Sequence, residues 1–254
     1  MEKSSNPVRS VERALNILKC FSFDKPQMPL SEIIESVKLP KTTIIRLVAS
    51  LYDQGFLQRD PVTQEYSLGL TLFRLGKVAE SKLKIREVSR PVMEKLSLLT
   101  QETIELNIVV ERARLCIDKL DSPHTLRYIT MVGKRLPIHV GASGKLLLAY
   151  MDRDEAYQIL KDSIDKTKES LIDISGQLEE IVKDGYAVSH GERIPGVSAI
   201  SAPIRRWDGT VAAGLTVSGA TVRFTPERVK QFIELILESA GEISQLLGYG
   251  GEIR

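Results

Sequence analysis

The chain has 254 residues, 43% of them hydrophobic, with 35 Lys and Arg against 33 Asp and Glu. That is enough for one large domain or two smaller ones, each with its own apolar core. A formal net charge of +2 excludes a polycation that coats nucleic acid, so any such contact must come from a local basic surface.

The first predicted helix has Ser10 as its N-cap and Val11, Ala14, Leu15, Leu18 and Phe21 on one face. A loop with Asp24, Pro26 and Pro29 ends it. A short second helix, SEIIESV, places Ile33, Ile34 and Val37 inward and takes Ser31 as its cap. After a tight break at Lys38-Leu39-Pro40, with Pro40 at the helix start, a third helix runs to about Gln54 and buries Ile44, Leu47, Val48 and Leu51. Gly55 suits its C-terminal cap. Two apolar-alternating runs then flank the turn-rich Asp60-Pro61-Val62-Thr63, which predicts a β-hairpin. Three helices and a hairpin make a winged helix-turn-helix over residues 1–69.

Residues 70–84 read as a linker helix, LTLFRLGKVAES, with Leu70, Phe73, Leu75 and Val78 in an apolar strip. A second long helix over 85–100 carries Val88, Val92, Leu96 and Leu99. The period then changes to two. TIELNIVV and LCIDKL flank Glu111-Arg112 as a hairpin, and LRYITMV reads as a third strand. GASGKLLLAYM is a loop entering an apolar helix, and two more helices follow up to Gly185. Three strands come next, YAVSHGE, VSAISAPIR and TVAAGLTVS, the last two joined at Trp207-Asp208-Gly209. Thr225-Pro226 opens a terminal helix that stops near Gly248. Residues 85–254 are thus α+β, with an antiparallel sheet of six strands in two groups of three, an order that suits a GAF- or PAS-like sensor.

No run approaches the roughly 18 apolar residues of a membrane span, and the polar start MEKSSNPVRS has no apolar stretch of a secretory signal. The expectation is a cytoplasmic protein without membrane contact. Cys20 and Cys116 form no CxxC pair, and both are expected to be buried thiols.

In a helix-turn-helix the second helix of the motif enters the major groove, and its N-terminal residues face the bases. Here those are Lys41, Thr42, Thr43 and Arg46. Between Ser36 and Tyr52 the cations Lys38, Lys41 and Arg46 stand without an acid, the local positive surface that phosphates require. Arg59, Thr63 and Gln64 on the wing can reach the flanking backbone or minor groove. The competing reading of the same surface is a protein-binding adaptor, whose apolar contacts would resist salt where phosphate contacts would not.

HVGASGK is the segment with the most chemistry. It is no Walker A loop, because His139 stands for the first glycine and Leu146 follows Lys145. It is no nucleophile elbow, because Lys145 stands for the last glycine. Gly141, Ala142 and Gly144 are small residues at a helix start, and Ser143 adds a hydroxyl. Free N–H groups and the helix dipole there favour an anion, and a small carboxylate fits. Ser143 has no base at a recognisable spacing, which argues against the alternative of an enzyme acting on a small metabolite through the C-terminal domain; a non-DNA-binding sensor is the other alternative. His139 and His190 lack the carboxylate or thiol pattern of a metal site, and no cofactor motif is present.

The chain resembles the IclR family of bacterial transcription regulators from about Val8 to Gly248. The resemblance lies in SVERALNIL, LPKTTIIRLVASLYDQGFL, YSLGLTLFRLG, GKRLPIHVGASGKLLLA, GVSAISAPI and AAGLTVSG, in that order. It departs where the family usually has glycine in the motif's turn, here Lys38, and often alanine in the second helix, here Ile34. DSPHTLRYITMVGKRLP is further similar to the branch that regulates sugar-acid genes, such as 2-keto-3-deoxygluconate regulators. The resemblance implies a winged helix-turn-helix on double-stranded DNA at a palindromic operator, a GAF-like effector domain, and a homodimer or homotetramer. It implies a repressor of a catabolic operon, with a small carboxylate or sugar acid as effector. It also extends the pocket of Gly141, Ala142 and Ser143 to Ser189, Val197, Ala199, Thr216 and Ser218. Thr216 and Ser218, two apart on one strand, face the same side.

Overall fold

The structure is a computed structural model and describes residues 8–80, 84–164 and 171–251. The polar start over residues 1–7 and the expected end of the linker helix at Ser81 lie outside them. The chain divides into two compact units, Met1–Leu83 and Lys84–Arg254.

The first unit has helices α1 (Arg9–Leu18), α2 (Leu30–Val37), α3 (Lys41–Asp53) and α4 (Leu70–Glu80). Strands β1 (Gln27–Met28), β2 (Leu57–Arg59) and β3 (Tyr66–Leu68) form an antiparallel sheet in the order β1-β3-β2. This is the expected winged helix-turn-helix. Its core is Ile17, Phe21, Met28, Ile33, Ile44, Val48 and Leu57. The strand β1 was not expected, because Pro26 and Pro29 bracket it; Met28 is nonetheless fully buried on the wing. Three local expectations are corrected. Helices α1 and α2 start at Arg9 and Leu30 after Val8 and Pro29, with no side-chain cap from Ser10 or Ser31. Pro40 occupies the N-cap of α3. Val11 and Leu15 face outward, and Ile17 takes the core position. Lys38 ends α2 in the left-handed conformation, φ 51°, the reason glycine suits that turn. Such a residue costs about 1–2 kcal/mol, whereas each core side chain contributes about 1.5–3 kcal/mol by burial, so the motif holds its turn.

The second unit has one sheet in the order β6-β5-β4-β9-β8-β7. Its strands are β4 (Thr103–Val110), β5 (Ala113–Leu120), β6 (Arg135–Pro137), β7 (Ala187–His190), β8 (Val197–Arg205) and β9 (Val211–Ala220). Helices α5 (Lys84–Thr100), α6 (Ala142–Ala149), α7 (Arg153–Ile164), α8 (Leu171–Asp184) and α9 (Pro226–Leu246) surround it. One sheet face is wholly apolar: Ile104, Leu106, Ile200, Ala202, Ile204, Leu215 and Val217 pack on Met93 and Leu96 of α5 and Phe232, Ile236 and Ile243 of α9. Leu99, expected inward, is exposed, and Met93 fills the core instead. The opposite face carries the alternate residues Thr103, Glu105, Asn107, Ser201, Thr216 and Ser218, all buried. A half-polar sheet ordinarily turns such residues to water. Here α6 packs against β4, β5, β8 and β9 and seals them in. The Glu111-Arg112 turn has both residues at positive φ, 47° and 61°, as a two-residue hairpin demands. The terminal helix is capped by the Thr225 hydroxyl, which accepts from the Arg228 N–H.

The segment LRYITMV is not a strand. It alternates, with Tyr128 and Thr130 buried and Leu126, Ile129 and Met131 exposed, which is why period two misled. Side chains rather than a neighbouring strand take its carbonyls. Thr103 Oγ1 donates to Tyr128 O at 3.1 Å, and Arg223 Nη1 to Leu126 O at 2.9 Å. The edge of β5 pairs instead with Arg135–Pro137.

Candidate functional site

On the first unit, Lys41, Thr42 and Arg46 of α3 are exposed and Thr43 is half-buried. Ile44 and Val48 root the opposite side of the same helix in the core. The three exposed residues therefore stand on one rigid outward face. On the wing, Arg59 stacks over the Tyr66 ring at 5.3 Å, and its Nε donates to Gln64 O at 3.1 Å. Thr63 and Gln64 lie at the tip, with Gln64 at φ 63°. The Asp60 carboxylate accepts from the Val62 and Thr63 N–H groups at 2.8 Å each. Those backbone bonds hold its pKa below the usual carboxylate value and fix the tip's shape.

On the second unit, Gly141, Ala142, Ser143, Ser189, Val197, Ala199, Thr216 and Ser218 all line one cavity between the sealed polar sheet face and the start of α6. Gly141 supplies the turn, at φ 78°. Gly144 does not reach the cavity; it packs on the carbonyl of Ile138, where a Cβ would stand 2.5 Å from the oxygen. The expected row of free N–H groups is also partly corrected. Ala142 N–H donates to Ser189 Oγ at 3.0 Å and Gly141 N–H to Glu192 Oε2 at 3.1 Å. Lys145, buried, donates to Glu192 Oε1 at 2.6 Å and to Gln177 at 2.9 Å. A carboxylate of the chain thus already sits at this helix start, as the dipole favours.

What the cavity leaves without partners is more telling. Among its buried lining atoms, Ser143 Oγ, Arg114 Nε and Glu105 Oε2 have no hydrogen-bond partner. Buried polar atoms almost always have one. Glu105 is held through its other oxygen, which accepts from Ser218 Oγ at 2.8 Å, and Arg114 Nη1 stands 3.8 Å from Glu105 Oε2. Arg193 crosses the mouth, donating to the Tyr128 hydroxyl with its guanidinium 5.1 Å above that ring. The space open to solvent within is about 30 Å³, room for about two waters. No cluster of metal-ligating side chains occurs among the described residues; His190 Nδ1 hydrogen-bonds Ser198 Oγ at 2.9 Å. No described helix is long and apolar enough to cross a membrane.

Residues 10–61 match the IclR helix-turn-helix domain and residues 78–245 the C-terminal domain of the bacterial transcriptional regulator IclR. The chain belongs to the IclR family. Among its relatives, the HTH-type transcriptional regulator KipR of Bacillus subtilis is 32% identical, covering 96% of this chain and 99% of its own length. KdgR of Escherichia coli is 32% identical over 98% of this chain and 96% of its own. The crystal structure of an IclR homologue from Microbacterium hydrocarbonoxydans, complexed with 4-hydroxybenzoate, has the same fold at 23% identity. Its TM-score is 0.78, over 94% of this chain and 98% of that one. This IclR regulator is a ligand-responsive DNA-binding transcription regulator and not an enzyme.

Six lining residues escaped the sequence reading of this IclR chain: Glu105, Arg114, Tyr128, Val140, Arg193 and Ile194. For Glu105 a signal was present. An acid in the middle of TIELNIVV must be exposed or paired, and an apolar helix such as that at Leu146-Leu147-Leu148, once laid over this face, leaves only the second choice. Tyr128 and Arg193 come from loops, and nothing in their spacing places them at the mouth.

Proposed function

We propose that this regulator binds a palindromic operator through α3 and the wing, as a homo-oligomer, and that a small carboxylate in the cavity changes its operator affinity. Lys41, Thr42, Thr43 and Arg46 face the bases of the major groove, while Arg59, Thr63 and Gln64 contact the backbone or minor groove beside it. Leu70, Phe73, Leu75 and Val78 of α4 are exposed in the single chain; a second subunit covers them. The HTH-type transcriptional repressor AllR of Salmonella typhimurium, at 28% identity, supports repression as the sign, and we take a catabolic operon in the cytoplasm as the setting.

The observation that carries the ligand reading is the cluster of buried atoms without partners, Ser143 Oγ and Arg114 Nε, under the Arg193 latch. An anion satisfies both atoms. The homologue complexed with 4-hydroxybenzoate supports a carboxylate in particular. Because the cavity as built holds about two waters, a ligand must part the Tyr128–Arg193 contact to enter. Binding therefore favours one conformation over another, the condition for any ligand to shift an equilibrium. The expected coupling to operator affinity is about 1–3 kcal/mol. Ser143→Asp places a competing carboxylate in the cavity. Calorimetry and operator binding should show the carboxylate response lost and effector-free DNA binding retained; an unchanged ligand affinity places the anion elsewhere.

A further inference from the structure

The unpartnered atoms of the cavity are not all of one kind. Arg114 Nε is a donor, Glu105 Oε2 is an acceptor, and both residues are more than nine-tenths buried. A bare carboxylate answers the donor and leaves the acceptor unsatisfied. We propose that Glu105 is the specificity-determining residue of this site: it accepts a hydrogen bond from a hydroxyl of the ligand, so that the site selects hydroxy carboxylates over their unsubstituted and amino counterparts. The proposal rests on the carboxylate reading above.

Geometry fixes Glu105 for the task. It lies on β4 directly opposite Thr216 of β9, one strand layer beneath α6. Ser218 Oγ holds its first oxygen at 2.8 Å, which prevents the carboxylate from turning away and leaves Oε2 as the accepting atom. Arg114 Nη1 at 3.8 Å is too far for a hydrogen bond, so it leaves the accepting capacity of Oε2 unused.

Charge decides between a hydroxyl and an ammonium as the donor. The lining carries Arg114 and Arg193 against Glu105, while Lys145 and Glu192 form their own pair beside it. The cavity is therefore one positive charge in excess. A hydroxy acid, a monoanion, balances it. A zwitterionic amino acid does not, and its ammonium would stand against Arg114.

The three classes are separated by one matched set: lactate, propanoate and alanine, which differ at carbon 2 alone, with gluconate and hexanoate as a six-carbon pair. Thermal shift and calorimetry are run on the full-length protein. Lactate should bind about five- to a hundredfold tighter than propanoate, the scale of one buried acceptor left unsatisfied, with alanine weakest and gluconate preferred over hexanoate. Glu105→Met should bring the lactate-to-propanoate ratio close to one, and Glu105→Gln, which keeps an acceptor oxygen, should retain part of it. Propanoate or hexanoate binding as tightly as the hydroxy acids overturns the role of Glu105 and leaves the carboxylate reading standing. Tightest binding of alanine overturns the charge argument with it. Absence of binding by every acid overturns both readings together. The wild-type comparison decides the question even if the Glu105 variants fail to fold.

Discussion

Gly144→Ala tests the placement of α6, on which the cavity depends. Two effects oppose each other. Replacing glycine within a helix by alanine ordinarily gains about 0.5–1 kcal/mol. Against this, the new Cβ would stand 2.5 Å from Ile138 O, 2.9 Å from its carbonyl carbon and 3.3 Å from its Cα. These are backbone atoms, with no flexible tip to swing aside. Ordinary contact requires the helix and the Ile138 segment to part by roughly 0.9 Å, and overpacking of that sort costs about 1–3 kcal/mol. The clash falls at the upper end of that range, so it wins by about 2 kcal/mol. For a unit of this size each kcal/mol moves the midpoint by about 2–4 °C, so its Tm should fall by roughly 4–8 °C. Gly176 in α8 supplies the control, since nothing lies within 4 Å of its added Cβ. Gly176→Ala should raise the Tm by about 1–4 °C. Calorimetry of the full chain reads both. Shifts of the same sign would refute the close approach of α6 to Ile138, and with it the sealing of the polar sheet face.

Much of the fold was legible because burial follows a period. Alternation marked all the long strands, and the same alternation held the cavity in outline: Ile104, Leu106 and Ile108 on one side, Thr103, Glu105 and Asn107 on the other. What alternation alone does not say is whether the polar side meets water. That depends on α6, which is buried on every side from Ala142 to Leu148 because it lies between the sheet and the Ile138–Leu160 cluster. A run apolar all round a helix turn is a buried one, so Leu146-Leu147-Leu148-Ala149 already pointed to the sealing of the polar face, though not to its consequence.

The failures share a cause. Segment 126–132 has the side-chain period of a strand and lacks only a neighbour for its carbonyls, and that neighbour is decided by residues far away in sequence, Thr103 and Arg223. The caps predicted at Ser10 and Ser31 failed because the backbone entering from Val8 and Pro29 already starts each helix earlier. Arg114 and Glu105 pair across two strands around the register shift after Leu106, so no sequence spacing connects them.

Three further expectations follow from named groups. Burial, with the Glu105 charge in second place, pushes the Cys116 thiol up to about 12. It stays protonated through neutral pH, so a thiolate-directed reagent at pH 8 should modify Cys20 slowly and Cys116 only after denaturation; labelling of Cys116 in the folded protein would contradict its burial. Phe73→Glu puts a charge into the exposed α4 strip and should shift sedimentation toward the monomer, with no change in the melting of the second unit; an unaltered oligomer would show that α4 is not the contact. Arg46→Ala concerns the operator itself. Arg46 is exposed on α3, opposite the buried Ile44 and Val48, so its loss should leave the fold and Tm unchanged. One lost base contact costs about 1–3 kcal/mol and relaxes specificity at a single position, whereas a lost phosphate contact weakens all sequences alike and lowers the salt slope by about one. Competition binding against operators varied one base pair at a time distinguishes the two outcomes. Operator affinity equal to that of the wild type at moderate salt would show that Arg46 does not enter the groove and that α3 is not the recognition helix.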